Sequence, residues 1–206
     1  MDDMKRSRPN ARPYDRDAAL DAALRLFWAK GYHATSLKDL EAALTMKPGS
    51  IYAAFQSKEA LFLAALERYF LRNRAGLAAR LAAAPTPIAG LTDYLRALGR
   101  GELGEDPVHA CMLVKTLLDA TPNDPAIANA ARHYLDLMRA EIAAAFERAR
   151  TAGEIPDDAD AERLATRFQS DVTALRIEAH RGTDRAALAH LADGMAADIA
   201  RQCQPA

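Results

Sequence analysis

The run Thr35-Ser36-Leu37-Lys38-Asp39-Leu40-Glu41-Ala42-Ala43-Leu44-Thr45-Met46-Lys47-Pro48-Gly49-Ser50-Ile51-Tyr52-Ala53-Ala54-Phe55 reads as two short helices divided by a tight turn. Ser36 followed by Asp39 makes a capping box with Asp in place of Glu or Gln, starting a helix that ends near Leu44. Pro48 suits the first position of a further helix that runs to about Phe55. This is the outline of a helix-turn-helix, whose second helix enters the major groove and meets base edges with distinguishable donors, acceptors and methyl groups.

The rest of the chain is helical in pattern. Apolar residues Ala19, Ala22, Ala23, Leu26 and Phe27 recur at helical spacing from Asp15 to Lys30, and Gly31 supplies a stop. Ser57 caps a long fourth helix carrying Leu61, Ala64, Ala65, Leu66, Tyr69 and Phe70, interrupted by Pro85 and Pro87. Punctuation then predicts helices from Pro87 to about Leu98, from Asp106-Pro107 to Ala120, and from Asp124-Pro125 to about Ala152. Two more are predicted from Asp158 to about Arg181 and from Thr183 or Asp184 to near Gln202. Alternating apolar and polar runs are missing, so an all-α fold is expected. Half of the 206 residues are apolar, ample for a buried core. No run reaches the length of a membrane span, and the N-terminus lacks the apolar stretch of a signal peptide, which predicts a cytoplasmic protein with no membrane partner.

A net charge of −1 becomes informative once divided along the chain. Residues 1–58 carry ten Lys/Arg against seven Asp/Glu, and residues 59–206 carry seventeen against twenty-one. Positive charge therefore gathers where the helix-turn-helix lies, as phosphate attraction requires. Three segments follow: a basic arm over 1–13, a DNA-binding domain over 14–58, and a larger helical domain over 59–206 with the fourth helix as connector.

Within the arm, Arg12 is a candidate for phosphate or minor-groove contact. Thr35 and Ser36 stand at a helix start, where hydroxyls and free backbone N–H groups suit a phosphate oxygen as well as a cap. Lys47 and Ser50 are candidates for base or phosphate contact. The Tyr52 hydroxyl reaches phosphate if its ring is not wholly core, and Lys58, in the first turn of the fourth helix, is placed to meet the DNA backbone. Leu24, Phe27, Leu40, Ile51 and Phe55 are the expected core of the three-helix unit.

Segment 12–70 resembles the N-terminal domain of the TetR family of transcriptional repressors. The resemblance is carried by Arg12-Pro13-Tyr14-Asp15, Phe27-Trp28-Ala29-Lys30-Gly31-Tyr32, Thr35-Ser36-Leu37, Gly49-Ser50-Ile51-Tyr52 and Phe55-Gln56-Ser57-Lys58-Glu59-Ala60-Leu61. One position departs from the pattern: Thr45 stands where the family turn usually carries glycine. A β-branched residue is costly where φ is positive, so a rebuilt turn is expected there.

The resemblance implies a body that binds a small-molecule effector and dimerises through its last two helices as a four-helix bundle. The apolar stripes Leu164, Phe168, Val172, Leu175, Ala179 and Leu188, Leu191, Met195, Ile199 fit core or interface alike. A dimer would present two heads to successive half-sites of a palindromic operator. Tyr94, His109, Met112, Tyr134, His133 and Phe168 are candidates to line an apolar effector cavity.

Cys111 and Lys115 fall one turn apart on a helix starting near Pro107, where the ammonium and the helix N-terminal field favour thiolate. The local pattern is similar to the sensing cysteine of electrophile-responsive TetR-type regulators, a likeness that implies Arg176 in the place of a partner lysine. A buried, inert thiol is the other reading. Cys111 and Cys203 form no metal-type cluster, and no metal or cofactor is expected. Thiol enzymology has little support: His109 and Cys111 point to different sides of a helix, and no Cys-x-x-Cys pair, nucleophile elbow or phosphate-cradling loop is present. A helical adaptor without DNA binding is the remaining alternative, and an activator on the same scaffold reads identically.

Overall fold

The computed structural model describes residues 15–103 and 110–203, and among them every regular element is an α-helix. The order is α1 (Arg16–Lys30), α2 (Leu37–Leu44), α3 (Pro48–Phe55), α4 (Lys58–Ala83), α5 (Pro87–Gly99), α6 (Met112–Asp119), α7 (Pro125–Thr151), α8 (Ala161–His180) and α9 (Arg185–Gln202). None of these helices is long and apolar enough to cross a membrane. The arm over 1–13 with Arg12, His109, and the Asp106-Pro107 helix start lie outside the described residues.

Helix starts fall where short polar side chains replace the missing intrahelical acceptors of the first turn. The Asp15 carboxylate accepts from the N–H groups of Asp17 and Ala18, Ser57 Oγ from Ala60, Asp160 from Arg163, and Asp184 from Ala186 and Ala187. At α2 the capping box is complete: Asp39 N–H donates to Ser36 Oγ, and Ser36 N–H donates back to Asp39 Oδ2. Lys30 Nζ lies 2.7 Å from the other Asp39 oxygen, and this ammonium, with the Ser36 donors, holds the Asp39 pKa well below the usual carboxylate range.

The apolar faces close on two clusters. The first holds Leu24, Phe27, Leu40, Ile51 and Phe55, the residues predicted for it, but they do not close it alone. Leu61, Phe62, Ala65 and Leu66 of α4 complete it, together with Met112 and Leu113 of α6 and Ile127 and Ala131 of α7. Phe62 meets Phe27 edge-on at 5.0 Å and Tyr32 at 5.1 Å. Arg68 of α4 reinforces the join, donating to Asp21 at 2.6 and 2.9 Å and to Asp17 at 2.9 Å, which lowers the Asp21 pKa.

The second cluster forms the body, with Leu91 and Leu95 of α5, Phe146 of α7, Phe168 and Leu175 of α8, and Ala192, Ala196 and Ile199 of α9. Gly99 lets α5 and α9 approach closely, since a Cβ there would stand 2.4 Å from Ala192 Cβ and 2.9 Å from the Leu188 carbonyl oxygen. Because Ala192, Ala196 and Ile199 face inward, Ala187, Leu191 and Gly194 lie on the opposite side of α9.

The turn before α3 is not rebuilt. Thr45 adopts the left-handed conformation itself, at φ 53° and ψ 39°, and its N–H closes α2 by donating to the Glu41 carbonyl. Gln56, which ends α3, has φ 67°, so the turns before and after α3 each carry a non-glycine residue at positive φ. A β-branched residue in that region costs about 1–2 kcal/mol. Thr45→Gly is accordingly expected to raise unfolding stability by about 1 kcal/mol, after the extra backbone entropy of glycine is deducted. Urea denaturation checks this; a lower midpoint would show that the threonine side chain stabilises the turn.

Candidate nucleic-acid interface and effector cavity

The short α3 is anchored by two of its eight residues, Ile51 at 1% and Phe55 at 5% exposure. Its other side is open. Lys47, Gly49, Ser50, Tyr52 and Ala53 are all exposed, Tyr52 at 45%, so the tyrosine ring is not core. A Cβ on Gly49 would meet nothing, leaving this side of the helix low in profile. Lys47 is the N-cap of α3 and makes no side-chain cap bond, so its ammonium serves no structural role at the helix start. Small residues beside a cation, a hydroxyl and a phenol suit close approach to a groove edge, where alanine can meet a thymine methyl. Gly49 and Ala53 are not among the contact candidates of the sequence, because small exposed residues carry no chemical signal of their own.

Other candidates lie differently from expectation. Thr35 is fully buried, and its Oγ1 donates to the Gly31 carbonyl at 2.7 Å. It fixes the α1–α2 turn and is not available to a phosphate, which corrects the sequence expectation. Ser36 is exposed, yet its hydroxyl donates to Asp39, so the cap uses it already. Lys58 is half-buried with Nζ 4.5 Å from the centre of the Tyr32 ring, and burial lowers its pKa.

A small cavity of about 50 Å³ lies in the body between α4, α7 and α8. Tyr94 and Phe168 are among the residues that line it. Met112 and Tyr134 do not: Met112 is buried in the first cluster, and Tyr134 stacks on Phe70 at 4.8 Å. Both side chains are drawn to aromatic and aliphatic neighbours on the head side, a destination that helical spacing does not reveal. Tyr69, Asn73, Gln169 and Arg176 line the cavity as well; of these the sequence offers Tyr69 as an apolar position of α4 and Arg176 in the place of a partner lysine.

Cys111 also lines the cavity and is half-buried, but it caps α6 and does not lie inside a helix begun at Pro107. Lys115 is engaged elsewhere. Its ammonium donates to the carbonyls of Trp28 and Ala29 at 3.0 and 2.9 Å, where the last carbonyls of α1 favour a cation. The proposed ammonium assistance to the thiol therefore does not match the observed geometry.

Two further contacts join the same parts of the molecule. Trp28 Nε1 donates to the Ala110 carbonyl at 2.6 Å, and His33 Nε2 lies 2.8 Å from Asp124 Oδ2. Residues 110–124 thus grip the end of α1 on one side, while Cys111 and Leu113 of the same stretch face the cavity on the other.

Comparison with known proteins follows the same division. The model of bacterial regulatory proteins, tetR family, matches residues 19–65, and that of the tetracyclin repressor-like C-terminal domain matches residues 92–202. The chain is 32% identical over 190 residues to the HTH-type transcriptional repressor ComR of Escherichia coli (strain K12), covering 92% of this chain and 90% of that protein. It is 27% identical over 157 residues to the uncharacterized HTH-type transcriptional regulator YezE of Bacillus subtilis (strain 168), covering 74% and 79% respectively. Among solved structures, a cysteine mutant of the TetR family transcriptional regulator CifR, complexed with 26bp double-strand operator DNA, superposes with a TM-score of 0.83 at 29% identity. That match covers 93% of this chain and 98% of the other.

Proposed function

Because the chain belongs to the tetR family of bacterial regulatory proteins, we propose that it is a dimeric cytoplasmic repressor of transcription. In this reading it holds a palindromic operator and releases it when a small molecule enters the body cavity. The observation that carries the reading is the exposed side of α3, where Lys47, Ser50 and Tyr52 stand clear of the core on a helix fixed at both ends. The operator complex of CifR, a structure similar over nearly the whole chain, supports the same use of the head. In this reading Ser36 and Lys58 serve as flanking phosphate contacts, whereas Thr35 has no part. The reading requires no catalytic group, cofactor or metal.

Pairing is assigned to the outer sides of α8 and α9. On α8 Ile177 is 45% exposed, and on α9 Leu191 is 37% exposed and a Cβ on Gly194 would meet nothing, sides suited to a second copy. Signal passes through residues 110–124. An effector that favours an arrangement with this stretch displaced from α1 would lower operator affinity by its differential binding free energy, typically about 1–3 kcal/mol. Cys111 is the thiol that an electrophilic effector meets in the cavity, without help from Lys115.

Selection of bound fragments from the source genome tests the reading. It should return a palindrome bound with steep salt dependence. On that site Lys47→Ala is expected to weaken binding about 10-fold or more and to flatten the salt slope by about one per subunit. Absence of salt-dependent duplex binding by the parent protein would overturn the regulator reading in favour of an adaptor.

A further inference from the structure

Two voids share one wall. The cavity of about 50 Å³ and an open groove of about 550 Å³ between α6, α7 and α8 are both lined by Leu135, Gln169 and Thr173. These three side chains therefore part the inner space from the outer one. Gln169 fastens the partition, because its Nε2 donates to the Leu135 carbonyl at 2.9 Å. Leu135 lies inside α7, where the helix ladder already gives its carbonyl a backbone donor, so α7 does not depend on this bond. Thr173 is committed to its own helix, since Oγ1 donates to the Gln169 carbonyl at 2.9 Å. The carboxamide is thus the part of the wall that can swing, and water in the groove would replace the bond it leaves.

The two spaces differ in chemistry. Inside, Met138, Ile142 and Phe168 present aliphatic and aromatic surface, while Arg176 is held by its own partners, Asn73 among them. That space admits only a few waters at roughly 10–15 Å³ each, or the last few carbons of an unbranched chain, which are of similar size. Outside, Val114, Leu117 and Ala174 supply apolar surface beside Arg132 and Arg139. Arg139 is balanced by Asp136 at 3.0 Å and Glu162 at 3.9 Å. Arg132 donates to Asn129 Oδ1 at 2.9 Å, a neutral acceptor, and makes no ion pair among the described residues. The groove therefore keeps a cation for an incoming anion.

We propose that groove and cavity form one site for a linear amphiphile with an anionic head. The head lies beside Arg132, the chain along Val114, Leu117 and Ala174, and the tip passes Gln169 to meet Met138, Ile142 and Phe168. This deepens the effector reading given above by naming the class of molecule, and rests on it for the regulatory consequence alone. That consequence has a route, because Val114 and Leu117 belong to α6, whose Lys115 holds the last carbonyls of α1.

Titration calorimetry on the full-length protein without DNA tests the binding, with butyrate, octanoate and octylamine as probes. One octanoate per subunit should bind, about 20-fold or more tighter than butyrate, since each buried methylene is worth about 4-fold. Octanoate should exceed octylamine by about 5-fold or more, and Arg132→Gln should erase most of that preference. Gln169→Ala removes the bar and should tighten octanoate, whose tip passes it, by about 3-fold or more while leaving butyrate unchanged. The comparison of probes on the parent protein stands even if a variant fails to fold.

Equal affinity for butyrate and octanoate, equal or tighter binding of the amine, an acid preference that survives Arg132→Gln, or equal effects of Gln169→Ala on both acids would each overturn the proposal. So would failure of octanoate to saturate at millimolar concentration. A protein that binds its operator with steep salt dependence and ignores octanoate keeps the regulator reading and sinks this one. Octanoate binding with operator affinity unchanged supports the site and removes it from the effector reading.

Discussion

A Gly194→Arg chain is expected to run as a folded monomer and to hold its operator at least about 100-fold more weakly than the parent protein. Gly194 is exposed near the middle of α9, and a Cβ built there meets nothing within 4 Å, so the protomer itself has room for a side chain. Replacing glycine inside a helix also adds roughly 0.5–1 kcal/mol of helix stability. The cost falls on pairing alone. Across a two-fold axis the same substitution appears twice, bringing two guanidinium groups and two long side chains into one seam. Two linked heads gain about 10²–10⁴ in avidity over one, and that gain is what separation removes. Sedimentation analysis and fluorescence anisotropy on the operator measure the two effects. A Gly194→Arg protein that remains dimeric would show that the α9 outer side is not the seam.

Phe62→Ala is expected to lower unfolding stability by about 3–5 kcal/mol. Phe62 is 2% exposed and fills the space where α1, the α1–α2 turn and α4 converge, with edge contacts to Phe27 and Tyr32. The surrounding groups are held by caps and by the Arg68 bridge, which limits collapse into the void. For a chain of this size each kcal/mol is worth roughly 2–4 °C in melting temperature, so a fall of roughly 6–20 °C is anticipated. Calorimetry checks it. A loss under about 1 kcal/mol would mean that the head repacks around the gap, and the picture of Phe62 as the joint between head and body would fail.

Most helix boundaries were legible because the signals that set them are local. Asp15, Ser36, Ser57 and Asp184 each bond to backbone two or three residues on, and Pro48, Pro87 and Pro125 each stand at the first helical turn. Such bonds need no knowledge of tertiary structure. The apolar core of the head was legible for the same reason, since 3.6-residue periodicity selects one side of each helix.

Destinations of long or ambiguous side chains were not. Lys115 was placed beside Cys111 by spacing, but a flexible ammonium follows the strongest nearby acceptors, and these are carbonyls of α1 more than eighty positions earlier. Thr35 and Ser36 look alike in sequence, yet one hydroxyl turns inward to Gly31 and the other outward to the cap. Thr45 signals a special turn correctly and its outcome wrongly, because backbone N–H groups of Thr45 and Met46 both donate to the Glu41 carbonyl and hold the strained conformation in place. The cavity shares this limit: Asn73, Tyr94, Gln169 and Arg176 come from three helices, and nothing in their spacing brings them together.

The hydrogen bond from Trp28 to Ala110 has a practical corollary. Trp28 is the sole tryptophan of the chain, 5% exposed, with its ring edge-on to Tyr69 at 5.1 Å, and Tyr69 belongs to the cavity wall. An intrinsic fluorophore therefore sits at the junction through which the proposed signal would pass. Its emission would report a movement there optically, with no dye attached and no background from other indoles.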